Sequence, residues 1–288
     1  MVAINLEALR ALEIKDMRFA YDERETMLYA LSIGMGRDPL DERELSFVYE
    51  GSGLQAVPTM AVVLASTGII RKTGVDFAKV LHGEQRLVLH RQLPVAAELL
   101  ANSRVAGVYD KGAGKGAVIL LETTARSAAD GLPLFTFTMT IMARGDGGFG
   151  GPEGSGPEPH RLPERVPDRI DLSETRPDAA LLYRLNGDRN PLHADPKVAA
   201  RAGFKSPILH GLATYGIVCR ALLRSVCDYD TAQMRSFDAR FSAPVYPGER
   251  IATDIWRDGD IVSFRCRVPA RGDAIVLNNG RCQLGIPS

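Results

Sequence analysis

The chain has no surplus of charge of either sign: Lys plus Arg and Asp plus Glu number 35 each in 288 residues. No overall field therefore draws it to nucleic acid or to an acidic membrane, and a polyanionic ligand has to be held by a local basic patch. Cysteine is scarce too. The 4 cysteines, Cys219, Cys227, Cys266 and Cys282, lie in the second half without CxxC spacing. Two of them sit in helix- or strand-interior patterns, so reduced core thiols are expected in place of disulfides or metal ligands. No cationic N-terminal segment leads into a long apolar run, and the stretch from Met60 to Ile70 is too short to span a bilayer. The last residues, Gly285-Ile286-Pro287-Ser288, are not a peroxisomal tripeptide, so cytoplasm is the expected location. What is present is ordinary globular usage, 45% hydrophobic and 24% charged, enough for one large core or two small ones.

The middle of the chain is rich in Gly and Pro, from Gly145 to Pro157, and reads as a linker. It contains Gly145-x-Gly147-x-x-Gly150, but Pro152 and further glycines follow where a dinucleotide site needs a helix. Lys111-Gly112-Ala113-Gly114-Lys115-Gly116 lacks Walker spacing and reads as a turn between strands. The expected organisation is a first unit over 1–150, a linker over 151–165 and a second unit over 166–288. The two halves echo each other about 150 residues apart. Leu28-Tyr29-Ala30-Leu31 and then Asp38-Pro39-Leu40-Asp41 match Leu182-Tyr183-Arg184-Leu185 and then Asn190-Pro191-Leu192-His193, so Asp41 stands where the second half has His193. Thr59-Met60-Ala61-Val62-Val63 likewise parallels Thr214-Tyr215-Gly216-Ile217-Val218, predicting one apolar helix in each half.

The densest chemistry lies in Tyr183-Arg184-Leu185-Asn186-Gly187-Asp188-Arg189-Asn190-Pro191-Leu192-His193. Gly187 opens backbone conformations closed to other residues and Pro191 fixes the bend after it, so Asp188, Asn190 and His193 can be aimed at one point. Two readings are open: a general acid/base pair, or a polar turn whose side chains bond their own backbone. Downstream, the apolar run from Leu212 to Val226 predicts a buried helix. Its N-terminus at Gly211 would present unpaired N–H groups and a positive dipole end, the makings of an oxyanion hole.

With these residues the chain resembles the (R)-specific type 2 enoyl-CoA hydratases of the MaoC-like group, in the two-domain form found in peroxisomal multifunctional enzymes. The motif from Tyr183 to His193 carries the resemblance, with Ile208-Leu209-His210-Gly211 and Phe241-Ser242-Ala243-Pro244-Val245-Tyr246-Pro247-Gly248 behind it. Matches in the first half are Phe47-Val48-Tyr49-Glu50-Gly51, Lys79-Val80-Leu81-His82-Gly83-Glu84-Gln85 and Asp110-Lys111-Gly112. One departure is Asn186, where the family usually has Ser or Thr.

The resemblance implies an α+β double hot-dog fold: two repeats, each an antiparallel sheet wrapped around a long central helix. Alternation from Ile261 to Val268, with Val262, Phe264, Cys266 and Val268 on one face, is the pattern of a half-buried antiparallel strand and suits that fold. Ile251–Trp256 and Ala274–Leu284 flank it. Val105–Val108, Ala117–Thr124 and Leu134–Ala143 supply the counterpart in the first half.

By the same resemblance, Asp188 and His193 hold a water and share the proton transfers, Asn190 orients water or substrate, and the Gly211 N–H bonds the thioester oxygen. His82, Gly83 and Lys111 contact the CoA or acyl part, and Phe241 lines the site. Glu50 is either a supporting acid or a solvated loop charge, and His210 shapes the oxyanion loop. His90 and His160 have no assigned role. The implied reaction is reversible hydration of a trans-2-enoyl-CoA, medium or long in chain, to a (3R)-3-hydroxyacyl-CoA in fatty acid metabolism such as β-oxidation. No cofactor is implied, CoA being part of the substrate, and a homodimer is expected. A hot-dog thioesterase and a non-catalytic acyl-CoA binder are the rival readings. A metal site of Asp188, His193 and His210 is conceivable by ligand type, but the chemistry needs no Lewis acid.

Overall fold

The computed structural model describes residues 4–76, 79–154 and 156–285. The C-terminal tripeptide and the first three residues, on which the targeting expectations partly rest, lie outside the described residues. Ten strands form a single antiparallel sheet: β1 (Glu13–Tyr21), β2 (Val80–Leu89), β3 (Ala97–Asp110), β4 (Ala117–Ser127), β5 (Pro133–Ala143), β6 (Arg169–Glu174), β7 (Met234–Phe241), β8 (Arg250–Asp258), β9 (Ile261–Val268) and β10 (Ala274–Leu284). Their order is β1-β3-β4-β5-β2-β7-β10-β9-β8-β6. Subtracting five from each second-half strand number turns that half into the first half reversed, so the two halves share one topology and meet edge to edge at β2 and β7. That junction is a true ladder, running from Glu84 opposite Arg240 to Val88 opposite Ser236.

Helices fill one face. The first half contributes α1 (Leu6–Arg10), α2 (Glu23–Ser32), α3 (Glu42–Val48) and α4 (Ala61–Leu64); the second contributes α5 (Ala179–Tyr183), α6 (Pro196–Arg201) and α7 (Gly211–Val226). The 16-residue α7 is buried without a break from Ala213 to Leu223. Such an all-round apolar helix is stable because sheet and helices wrap it, each fully buried Leu, Ile or Val being worth roughly 1.5–3 kcal/mol. Gly216 is needed where α7 crosses α2: a Cβ there would lie 2.6 Å from Ile33 Cγ2 and 2.8 Å from the Tyr29 hydroxyl.

The expectation of a long helix in each half is met only in the second. The first-half counterpart is a 3-10 turn over Pro58–Met60 running into the single turn of α4. Behind it come Ser66, Thr67 and Gly68, and Gly68 takes a left-handed φ of 70°, which ends any helix. The main core spans both halves, joining Tyr29, Phe47 and Phe135 to Tyr215, Phe237 and Phe264.

The segment read as a linker is tied down along its length. Both Asp110 carboxylate oxygens accept backbone N–H groups, from Gly112, Gly148, Gly150 and Gly151 at 2.8 to 3.3 Å. Farther on, His160 bonds Ser263, Asn279 donates to the His160 carbonyl and the Trp256 indole donates to the Arg165 carbonyl, each at 2.8 Å. Ser263 lies between the inward-facing, buried Val262 and Phe264, so the strap runs over the outer face of the sheet. Among the described residues, no helix is long and apolar enough to cross a membrane, and all four cysteines are free and buried.

Candidate active site

Gly187 adopts a φ of 113°, closed to residues with a Cβ, and sends the chain out of the 3-10 turn over Arg184–Asn186 into the motif. Asp188 Oδ1 then accepts the Asn190 N–H at 3.1 Å, and Asn190 Oδ1 accepts the Leu192 N–H at 3.0 Å. The self-bonded turn of the bland reading is therefore real, and it delivers the 3-10 turn Pro191–His193 that carries the imidazole inward. Asp188 and Asn190 stay exposed while His193 is buried.

The imidazoles are held by backbone. His193 Nδ1–H donates to the Ile208 carbonyl at 2.8 Å, so its Nε2 lone pair is free. His210, only 1% exposed, donates Nε2–H to the Asp188 carbonyl at 3.1 Å. The two rings stack with centroids 3.8 Å apart, and Tyr183 lies against His210 at 5.1 Å. Ligand-type atoms of Asp188, His193 and His210 lie within 4.8 Å of one another.

Burial pushes the His193 pKa below its ordinary value, opposed by the Ile208 carbonyl and Asp188 and reinforced by Arg184. His210 is pushed down by burial first and by His193 second. Both rings are thus neutral near pH 7, and His193 is ready to accept a proton.

α7 begins beside this group. The Ala213 and Thr214 amides already bond to the His210 carbonyl, and His210 provides no side-chain cap. Among the described residues the amides of Gly211 and Leu212 have no acceptor, so they can donate at the positive end of the helix. Gly211 is exposed, and a Cβ there would meet the Phe241 ring at 3.1 Å, so Phe241 is the floor under the amide. The His82 ring sits 4.7 Å from Phe241, close enough for Asp188 to act on it electrostatically. Burial takes His82 down to about 4, and its Nε2 is buried without a partner.

The structure thus brings together Asp188, Asn190, His193, Gly211, Phe241 and His82 from both halves. Gly83 follows His82 in a bulge of β2 against β5. Lys111 lies elsewhere, at the end of β3, in a cleft on the outer face of the sheet. Glu50 is exposed in a 3-10 turn after α3, and among the described residues no hydrogen bond links it to the motif. Asn186, the departure from the usual Ser or Thr, donates Nδ2–H to the Ser32 hydroxyl and the Tyr183 carbonyl, both at 2.9 Å, and so ties the motif to α2. Tyr183 was overlooked as a site residue, although it opens the motif; it is packed 6.1 Å from its echo Tyr29.

Residues 19–145 match the family described as MFE-2 hydratase 2 N-terminal domain, and residues 159–276 match the MaoC like domain. The enoyl-CoA hydratase ChsH3 of Mycobacterium tuberculosis is 40% identical over 283 residues, covering 96% of this chain and 97% of its own. The chain belongs to the MaoC-like hydratase family. Within that family the probable enoyl-CoA hydratase 2 of Dictyostelium discoideum is 38% identical, over 93% of this chain and 92% of its own. The crystal structure of a MaoC-like dehydratase from Phytophthora capsici superposes with a TM-score of 0.86 at 30% identity, covering 98% of each chain. MaoC-like relatives share the double hot-dog fold, and this chain has it.

Proposed function

We propose that this enzyme adds water across the double bond of a trans-2-enoyl-CoA to give a (3R)-3-hydroxyacyl-CoA, and catalyses the reverse dehydration. The observation that carries the reading is that the Asp188 carboxylate and a neutral His193 with a free Nε2 lie within 4.8 Å of each other, next to His210, which caps the start of α7. A water held by Asp188, Asn190 and His193 loses a proton to His193 Nε2 as its oxygen bonds C3. The displaced electrons move through C2 to the thioester oxygen, which the Gly211 N–H stabilises. A proton from the Asp188/His193 pair then returns to C2 from the face that delivered the water, so addition is syn, and the (3R) configuration is taken from the family resemblance. His82 and Phe241 wall the site. Acid/base chemistry of this kind needs no metal.

Medium or long acyl chains are favoured in this reading, because the short α4 stands where the second half is filled by α7. Fatty acid metabolism and a homodimer complete the proposal by resemblance, with a cytoplasmic location as the sequence expectation; light scattering tests the homodimer. The names of relatives, including the enoyl-CoA hydratases above and a 3-hydroxyacyl-thioester dehydratase Y of Mycobacterium tuberculosis, support the same chemistry.

Loss of enoyl-thioester absorbance with crotonyl-, trans-2-hexenoyl- and trans-2-decenoyl-CoA tests it, with the product resolved chirally. Asp188→Asn and His193→Gln should each lower kcat/KM by about 10²–10⁴-fold. Decay with no chain length, or activity indifferent to both substitutions, rejects the assignment and brings the thioesterase reading forward.

A further inference from the structure

The two copies of the internal repeat touch. Leu28-Tyr29-Ala30-Leu31-Ser32 in α2 echoes Leu182-Tyr183-Arg184-Leu185-Asn186, which leads into the motif. The matched tyrosines are both buried and pack with ring centroids 6.1 Å apart. Three residues on, the matched Ser32 and Asn186 are joined by a hydrogen bond of 2.9 Å. Equivalent residues of two repeats meet only where the axis relating the repeats passes between them, so these two turns sit on the pseudo-twofold axis of the chain.

Each turn also makes the same internal bond. Ser32 Oγ–H donates to the Tyr29 carbonyl at 2.7 Å, and Asn186 Nδ2–H donates to the Tyr183 carbonyl at 2.9 Å. A hydroxyl has a single hydrogen, and that of Ser32 is used on a carbonyl, which can only accept. The bond across the axis must therefore come from Asn186. Its Nδ2 carries two hydrogens, one for the carbonyl of its own tyrosine and one for Ser32 Oγ. A Ser or Thr in this place, the usual residue of the family, can close its own turn or cross the axis but not both. The departure at Asn186 is thus the gain of one hydrogen bond between the halves.

What that bond holds is the motif. Asn186 is followed by Gly187, which has a φ of 113° and open space around it, and then by Asp188. Beyond Gly187 the motif is anchored in the second half, by His210 on the Asp188 carbonyl and by His193 on the Ile208 carbonyl. The first half supplies His82, whose ring packs on Phe241 within electrostatic reach of Asp188. The spacing between Asp188 and this wall is set across the halves, and the bond from Asn186 to Ser32 joins the two sides.

We propose that Asn186 is a positioning residue for the hydration: its second N–H locks the turn that carries Asp188 to the first half, and so keeps Asp188 at its working distance from the first-half wall of the site. The effect on rate rests on the hydratase reading; the lock itself does not.

The test is a double-mutant cycle of Asn186→Ser and Ser32→Ala, read in two ways. Enoyl-CoA hydration is followed well below the unfolding temperature, where a loss of stability alone leaves kcat as it was. Asn186→Ser keeps its own turn and should lower kcat by about three- to tenfold, the scale of one hydrogen bond, with KM little changed. Ser32→Ala should lose at least as much, and the double variant no more than Ser32→Ala. Urea unfolding of the same proteins reads the lock without turnover, and there too the double variant should be no less stable than Ser32→Ala. Wild-type kcat in Asn186→Ser, or losses that multiply in the double variant, overturns the positioning role. Additive losses in urea overturn the lock. A wild-type protein that hydrates no enoyl thioester but gives a non-additive urea cycle fails the hydratase reading and leaves the lock standing.

Discussion

His193 and His210 stack with their ring centroids 3.8 Å apart and 27° between their planes. A proton on His193 makes a second one on His210 costly, and this, after burial, holds the His210 pKa down. His210 thereby acts on the site in two ways. It pins the Asp188 carbonyl through Nε2–H, and its stacked ring covers one face of His193 and so adds to the burial that keeps His193 neutral.

A pH dependence follows. Both histidines are held below the ordinary 6.5 in the folded protein. Their contribution to stability is fully present above about 6.5, the unfolded value, and is lost as the pH falls from there through the folded values. Activity needs neutral His193, so the acid limb of kcat/KM should lie below 6.5. His210→Gln opens the covered face of the His193 ring to water and should move that limb upward, toward 6.5, with a smaller loss of stability between pH 7.5 and 5. A limb that stays in place would show that the stack does not set His193.

Removal of metal should change nothing. The three candidate ligand groups lie within 4.8 Å of one another, but the hydration proposed here runs on proton transfer and needs no Lewis acid. Dialysis against a chelator should leave the hydration rate within error, and a loss restored by zinc would make the group a metal centre.

Legibility from sequence followed the strength of the local signal. The strands β3, β4, β5, β8, β9 and β10 alternate or run apolar and were expected, although β3 extends well before Val105. In the edge strands the alternation misleads: in β6 Ile170 and Leu172 are exposed while Asp171 and Ser173 are buried, and β1 has a register irregularity between Ile14 and Met17. β2 is broken by the Gly83 bulge and carries Glu84 and Gln85, while β7 alternates with charges in Met-Arg-Ser-Phe-Asp-Ala-Arg-Phe. The motif from Gly187 to His193 could be read because turn chemistry is local. The meeting of His82 with Phe241 could not be derived, since only the β2 and β7 ladder brings them together, and family resemblance alone had pointed to both.

The strap should come loose when Asp110 loses its charge. Four amides converge on this carboxylate and hold it down at about 2. Because the folded value is depressed, its stabilisation is present above the unfolded value near 3.8 and is lost as the pH falls through about 2. Asp110→Ala should expose the Gly-rich segment between Gly145 and Gly156 to limited proteolysis at neutral pH. Cleavage at the wild-type rate would mean that the Asp110 carboxylate does not hold the strap.

The contact between the halves that is most sensitive to substitution should be Glu44 with Arg220. The pair is 1% and 7% exposed, with nitrogen to oxygen distances of 2.7 and 3.0 Å, and it fixes α7 to α3. Glu44 also accepts from the Tyr229 hydroxyl at 3.1 Å and the Gly36 amide at 2.8 Å, so its lone pairs are well used. Breaking one side of such a pair leaves a buried charge uncompensated and costs about 3–5 kcal/mol. Glu44→Gln should therefore lower the urea midpoint strongly, whereas Glu44→Gln/Arg220→Met should recover part of the loss because no charge remains buried. If the double variant is less stable than the single by the full cost of a second independent defect, the ion pair is not what registers α7 against the first half.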